Sequence, residues 1–178
     1  SLDMAAVDPD SDAGKADWGK ILEKVLPYVD YFVPSAEELC FMADRPRYEE
    51  WMTRAAGGDV TSVISVEEDI RPLAKRVLDM GASCLLIKCG APGMYFTDGK
   101  KEIFERSYKP ERVLSGTGAG DTSIAAFLKA RMEGRSIEES LHLAAATGAS
   151  CVEAYDALGG LRSFEELERR IKEGWEKL

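Results

Sequence analysis

Residues 115–123 read SGTGAGDTS, with glycine at 116, 118 and 120, then Asp121, then the amphipathic run TSIAAFLKARMEG. Glycine permits positive φ angles and lets a ligand approach the main chain with no Cβ in the way. At a helix start such a loop aims unpaired N–H groups and the positive end of the helix dipole at one spot, which makes an anion site. Two phosphate motifs can be tested against it. The dinucleotide pattern G-x-G-x-x-G fits Gly116 and Gly118 but requires glycine where Asp121 stands. A P-loop requires Gly-Lys before Ser or Thr, and here Gly120-Asp121 precede Thr122-Ser123. What is left is an anion site with a carboxylate at its rim. That carboxylate repels a merely bound phosphate. It suits a reaction in which a base takes a hydroxyl proton while N–H groups stabilise charge on a migrating phosphoryl group. The alternative is structural, Asp121 serving only as a cap of the helix that follows it.

Other reactive residue types offer less. Cys40, Cys84, Cys89 and Cys151 contain no C-x-x-C pair, so reduced, mostly buried thiols are expected, with Cys84 and Cys89 on opposite faces of a strand. The single histidine, His142, has no companion at ligand spacing, which predicts a packing or surface role. Twenty-three basic and thirty-two acidic residues give a formal charge of −9. This balance argues against nucleic acid and anionic membrane as partners. No apolar run reaches the roughly 18–20 residues of a membrane span, and SLDMAAVDPDSD does not read as a signal peptide, so a cytoplasmic protein is expected.

The elements that must position the glycine stretch alternate between strand and helix patterns, as in an α/β fold with a mostly parallel sheet. A helix is expected over about 17–26 and a short strand at 31–33. Capping boxes at Ser35/Glu38 and Ser65/Glu68 open a second helix and a third ending near Met80. SCLLIKC at 83–89 reads as a buried central strand, and MYF with EIF flanks Asp98-Gly99 as a hairpin. Two helices follow, about 121–133 and 137–153, the latter capped by Ser136 and Glu139. A last helix is capped by Ser163 and Glu166, with Phe164, Leu167, Ile171 and Trp175 at helical spacing.

GTGAGD followed by TSIAAFL resembles the C-terminal signature of the ribokinase-like, or PfkB-type, carbohydrate kinases. The resemblance implies that Asp121 is the catalytic base and that the backbone at Gly118, Ala119 and Gly120 forms an anion hole, with Thr117, Gly118 and Gly120 on the nucleotide side. YFVPSAEEL is similar to the family's strand and N-x-x-E segment, which places Glu38 at the acidic position that organises Mg²⁺ and phosphate. LLIKCGAPGMYF resembles its strand and T-x-G-x-x-G turn and sets Lys88, Gly90 and Gly93 beside the nucleotide. AAATGASC resembles the small-residue helix along the adenine, with Ala145 and Gly148 as contacts. The opening SLD looks like the end of a central strand that carries Asp3.

The sequence also departs from that pattern. Ser35 stands for the usual asparagine, Lys88 for threonine, and Ser115-Gly116 for Asp-Thr, the last weakening any monovalent-cation site. The first leaves Glu38 open to the plain reading of a capping box. The resemblance implies a ribokinase-like, doubly wound, mostly parallel sheet with helices on both faces. Residues 1–178 correspond to its C-terminal nucleotide-binding portion, and the N-terminal substrate-binding and lid portion is not included. The expected activity is phosphoryl transfer from ATP, with Mg²⁺, to a hydroxyl of a sugar or sugar-like substrate. A nucleoside or vitamin-precursor kinase of the same fold, and a non-catalytic nucleotide-binding module, stay open beside it, as does an α/β piece without ligand. An unpaired sheet edge predicts a homodimer or poor solubility.

Overall fold

The computed structural model describes all 178 residues, and the chain divides into two compact units. The first comprises Ser1–Cys89 and Tyr95–Phe104, the second Gly90–Met94 and Glu105–Leu178.

In the first unit, Leu2, Phe32 and Leu85 lie side by side in parallel register. Leu2 N–H donates to Tyr31 O and Leu86 N–H to Phe32 O, each at 2.9 Å. The strand expected at 31–33 is only this single rung. Pro34 follows at once and has no N–H to extend the ladder, although its carbonyl accepts from Lys88 N at 2.9 Å. Strand β1 (Leu85–Lys88) is buried up to its last residue, as a central strand requires. Strands β2 (Gly93–Thr97) and β3 (Glu102–Arg106), whose residues 95–97 and 102–104 belong to this unit, complete the three-stranded order β1-β2-β3, with the expected turn at 98–101 held by Asp98 Oδ1, which accepts from Lys100 N at 2.9 Å and Lys101 N at 2.7 Å.

Helix α1 (Trp18–Val25) starts where Asp17 accepts from Lys20 N, and α2 (Ala36–Ala43) has the complete Ser35/Glu38 box. Helix α3 (Arg45–Ala55) follows immediately, outside the helices expected from the sequence: Asp44 caps it and Pro46 occupies its first turn, but charged residues interrupt any apolar stripe and only Trp51 is buried. The Ser65 box closes differently from expectation. Ser65 Oγ accepts from Glu68 N, but Ser65 N–H donates to Asp69 Oδ2 at 2.7 Å, across a π-helical turn (Val66–Ile70) that precedes α4 (Arg71–Asp79). The wider turn lets the carboxylate one residue later reach back. Leu22, Leu26, Phe32, Leu39, Trp51, Leu73, Val77, Leu85 and Ile87 form the core, each large aliphatic side chain contributing about 1.5–3 kcal/mol by leaving water.

In the second unit, α5 (Ala119–Met132) packs on α6 (Ile137–Cys151), whose Ser136/Glu139 box is complete. A Cβ on Gly148 would stand 2.3 Å from Ser123 Oγ, so the two helices approach more closely than any side chain at 148 allows. Helix α7 (Phe164–Lys172), capped by Ser163, ends before Trp175, which still packs on the core of Tyr108, Ala130, Leu143, Ala146 and Leu167 and donates from Nε1 to Lys109 O at 2.7 Å. No two cysteines are joined, and no helix is long and apolar enough to cross a membrane.

Candidate active site

The glycine loop enters α5 through Gly118, whose φ of +81° only glycine adopts freely. Its Cα also lies against the 157 peptide, since a Cβ there would fall 2.5 Å from Ala157 Cβ. Helix α5 therefore begins two residues before Asp121, at Ala119. Ala119 N–H turns back to Gly116 O at 3.2 Å, and Thr122 N–H donates to Gly118 O at 2.9 Å. Thr122 Oγ1 donates to Gly118 O at 2.8 Å and Ser123 Oγ to Ala119 O at 2.6 Å, which fixes the carbonyls along the helix. The N–H groups of Gly118, Gly120 and Asp121 donate to no protein acceptor. Of the three amides expected to face an anion, that of Ala119 is engaged, and the amide of Asp121 stands free in the same turn. Thr117 is exposed, its N–H held by Ser115 Oγ at 3.1 Å.

Asp121 is the third residue of α5 and exposed, and its carboxylate makes no hydrogen bond or ion pair. A capping aspartate sits outside the first turn and accepts from amides within it. Gly118 holds the cap position here and has no side chain to do so. The capping reading of Asp121 is thereby removed. A carboxylate with all lone pairs available, beside undonated amides and the positive end of a helix dipole, can accept a proton and lie next to stabilised anionic charge.

The other expected residues fall into the two units separately. In the first unit Glu38 is half-buried and its Oε2 accepts from Ser35 N at 2.8 Å, so one oxygen serves the capping box. It lines a cleft of about 110 Å³ with Ala6, Val7, Glu37, Phe41 and Tyr48. Burial, with the charge of Glu37 added, pushes the Tyr48 hydroxyl above its ordinary pKa. No three ligating side chains gather at one point. Glu38 still fits Mg²⁺, which commonly takes one or two carboxylates and completes its shell with phosphate oxygens and water. Lys88 ends β1 and its Nζ lies 2.7 and 2.8 Å from the two oxygens of Asp3, a pairing the sequence reading did not contain. In the second unit Gly90 is exposed, and Gly93 N–H closes the turn onto Gly90 O at 3.2 Å. Ala145 is 3% exposed, its methyl packed in the core, and Gly148 faces Ser123. Burial pushes the Cys89 thiol up to about 12 and raises Cys40 as well, so neither of these two offers a ready nucleophile.

Residues 7–162 match the pfkB family carbohydrate kinase. An uncharacterized sugar kinase of Archaeoglobus fulgidus is 29% identical over 142 residues, covering 79% of this chain and 46% of the relative. The ribokinase of Arabidopsis thaliana is 33% identical over 106 residues, covering 59% and 28%. The solved structure of Arabidopsis thaliana ribokinase complexed with ribose and ATP superposes with a TM-score of 0.69 at 26% identity, over 84% of this chain and 43% of that one. A nucleoside kinase of Methanocaldococcus jannaschii, at 21% identity and a TM-score of 0.62, shares the fold. The chain spans less than half the length of each relative.

Proposed function

The chain belongs to the pfkB family of carbohydrate kinases, and from that membership we propose that it carries the nucleotide-binding and proton-accepting part of phosphoryl transfer from ATP to a sugar hydroxyl. The observation that carries the reading is the unpaired, exposed carboxylate of Asp121 in the same helical turn as the undonated amides of Gly118, Gly120 and Asp121. The acceptor is taken as a sugar because relatives sharing 30% identity or more are named ribokinase and D-tagatose-1-phosphate kinase.

In this reading Asp121 takes the proton of the acceptor hydroxyl as its oxygen forms a bond to the γ-phosphorus. The bond from that phosphorus to the bridging oxygen of ADP breaks, and ADP leaves with the electron pair. The amides of Gly118, Gly120 and Asp121 donate to the oxygens of the migrating group, whose charge is greatest in transit. Glu38 would hold Mg²⁺ together with phosphate oxygens, and the ion, when bound, neutralises charge on them. A helix N-terminus supplies only about half an elementary charge, so the loop alone does not balance a triphosphate.

Asp121→Asn tests the assignment. Turnover falls by roughly 10²–10⁴-fold while nucleotide affinity stays within about threefold. Equal turnover of the variant removes Asp121 from the role of base. A second reading follows from the chain's span of less than half its relatives: residues 1–178 act as a nucleotide-binding module without turnover. Stabilisation by ATP with no sugar phosphate formed supports the module, and phosphorylated sugar supports the kinase.

A further inference from the structure

The carboxyl ends of the parallel stretches in the first unit bring together residues far apart in sequence. Leu2 pairs with Phe32 and Phe32 with Leu85, and three residues on, Ser35 pairs with Lys88. Asp3 follows Leu2 directly. Asp3 and Lys88, 85 positions apart, thus meet at the edge of an α/β sheet where ligands characteristically bind.

The pair has a definite geometry. Lys88 Nζ donates to Asp3 Oδ1 at 2.7 Å and to Oδ2 at 2.8 Å, and Met4 N–H donates to Oδ1 at 2.8 Å and steadies the carboxylate. The Lys88 side chain is 15% exposed and that of Asp3 32%. A lysine so enclosed would lose hydration without a counter-charge, and Asp3 supplies it. An ammonium has three N–H donors, two are used, and the third donates to no protein acceptor. Four rotatable bonds leave a free lysine a mobile point charge, whereas two fixed bonds aim its remaining donor. A chain of net charge −9 needs such a local donor to take a polyanion.

We propose that Asp3 is a positioning residue for phosphate recognition: it holds the Lys88 ammonium so that its third N–H is offered to a phosphate oxygen of the bound nucleotide. This rests on the kinase reading above. Lys88 makes the contact and Asp3 acts through it.

Calorimetric titration of this chain with ATP and MgCl₂, and separately with adenosine, tests the assignment. Lys88→Met weakens ATP by about tenfold or more, as loss of a charge-assisted hydrogen bond does, and leaves adenosine within about twofold. Asp3→Asn weakens ATP by about three- to tenfold, Asp3→Glu restores most of it, and Asp3→Asn adds less than about twofold on the Lys88→Met background. Circular dichroism of the unliganded variants precedes titration, and Lys88→Gln replaces Lys88→Met should the latter not fold. ATP affinity unchanged without Lys88, ATP affinity unchanged or tighter without Asp3, adenosine weakened in step with ATP, or a full Asp3→Asn loss persisting without Lys88 each overturns the proposal. A wild-type chain that binds no ATP takes down the kinase reading and this proposal together, whereas wild-type binding with any of those results takes down this one alone.

Discussion

Gly118 lies against Ala157 so closely that a Cβ on Gly118 would stand 2.5 Å from the Ala157 Cβ and 2.8 Å from its Cα. The turn that opens α5 is thus set by two independent constraints, a left-handed φ and a neighbouring backbone. Gly118→Ala meets both and is expected to cost about 2–4 kcal/mol. Because the undonated amides of the loop depend on this turn, nucleotide-dependent stabilisation should fall even at temperatures where the variant stays folded. Chemical denaturation with and without ATP reads both effects. A variant as stable as wild type would show that the loop has room to shift.

The contact between Gly148 and Ser123 carries a compensatory prediction. A methyl at 148 meets Ser123 Oγ at 2.3 Å but reaches Ala119 O only at 3.4 Å and Ser123 Cβ at 3.7 Å, so the clash is with one hydroxyl. That hydroxyl donates to Ala119 O and cannot turn aside without losing the bond. Gly148→Ala should cost about 1–3 kcal/mol. Adding Ser123→Ala removes the clashing atom and should recover most of that loss, helped by the helix preference for alanine over glycine of about 1 kcal/mol. Additive losses in the double variant would mean that the helices are held apart by something else.

Asp69 is the buried charged hub of the first unit. Its carboxylate accepts from Trp51 Nε1 at 2.9 Å, Ser65 N at 2.7 Å and Arg54 at 3.2 and 3.3 Å. Burial alone pushes its pKa up, but the Ser65 N–H, Arg54 and Trp51 together outweigh it and hold the carboxyl below its ordinary value. A folded pKa lowered from an unfolded value of about 3.9 contributes stability above that value. It is lost as pH falls through the folded pKa. Asp69→Asn should therefore cost about 3–5 kcal/mol at pH 7, with the difference from wild type constant down to about pH 5 and shrinking below about pH 4. Urea unfolding of both proteins across that range checks the sign. A gap that widens in acid is the contrary result.

Local rules carried the helix starts. Ser35, Ser136 and Ser163 cap their helices as their spacing to Glu38, Glu139 and Glu166 implied, because a cap involves residues three apart. Where a second, competing local group existed the reading failed, as at Ser65, whose N–H went to Asp69 rather than Glu68. Helix α3 has a weak signature, because RPRYEEWMTRA buries one residue, Trp51, among scattered charges, leaving Asp44 and Pro46 as its only start signals. The glycine stretch is legible as a turn that opens a helix, but which amides it leaves undonated depends on the Gly118 torsion, so the engagement of Ala119 has no sign in GTGAGD. The bond between Asp3 and Lys88 spans 85 positions and has no local signature at all.

Glu105 gives the last prediction. It is 4% exposed, and its Oε1 meets His142 Nδ1 at 2.9 Å and the Lys177 ammonium. Lys177 belongs to the chain end, which pairs with Tyr108 and returns hydrogen bonds from Lys109 N to Glu176 O at 2.8 Å and from Leu178 N to Ser107 O at 2.9 Å. A buried carboxylate held by an ammonium and an imidazole is destabilised chiefly by removal of the better buried partner. The Lys177 side chain is 31% exposed and that of His142 48%. Glu105→Gln should therefore cost about 1.5–3 kcal/mol, Lys177→Met a comparable amount, and His142→Ala less than about 1 kcal/mol. Hydrogen exchange should quicken at the Lys109 and Leu178 amides in the first two variants and not in the third. If His142→Ala instead loosens the chain end as much as Lys177→Met does, Glu105 holds the tail through α6, and the direct ion pair is not what anchors it.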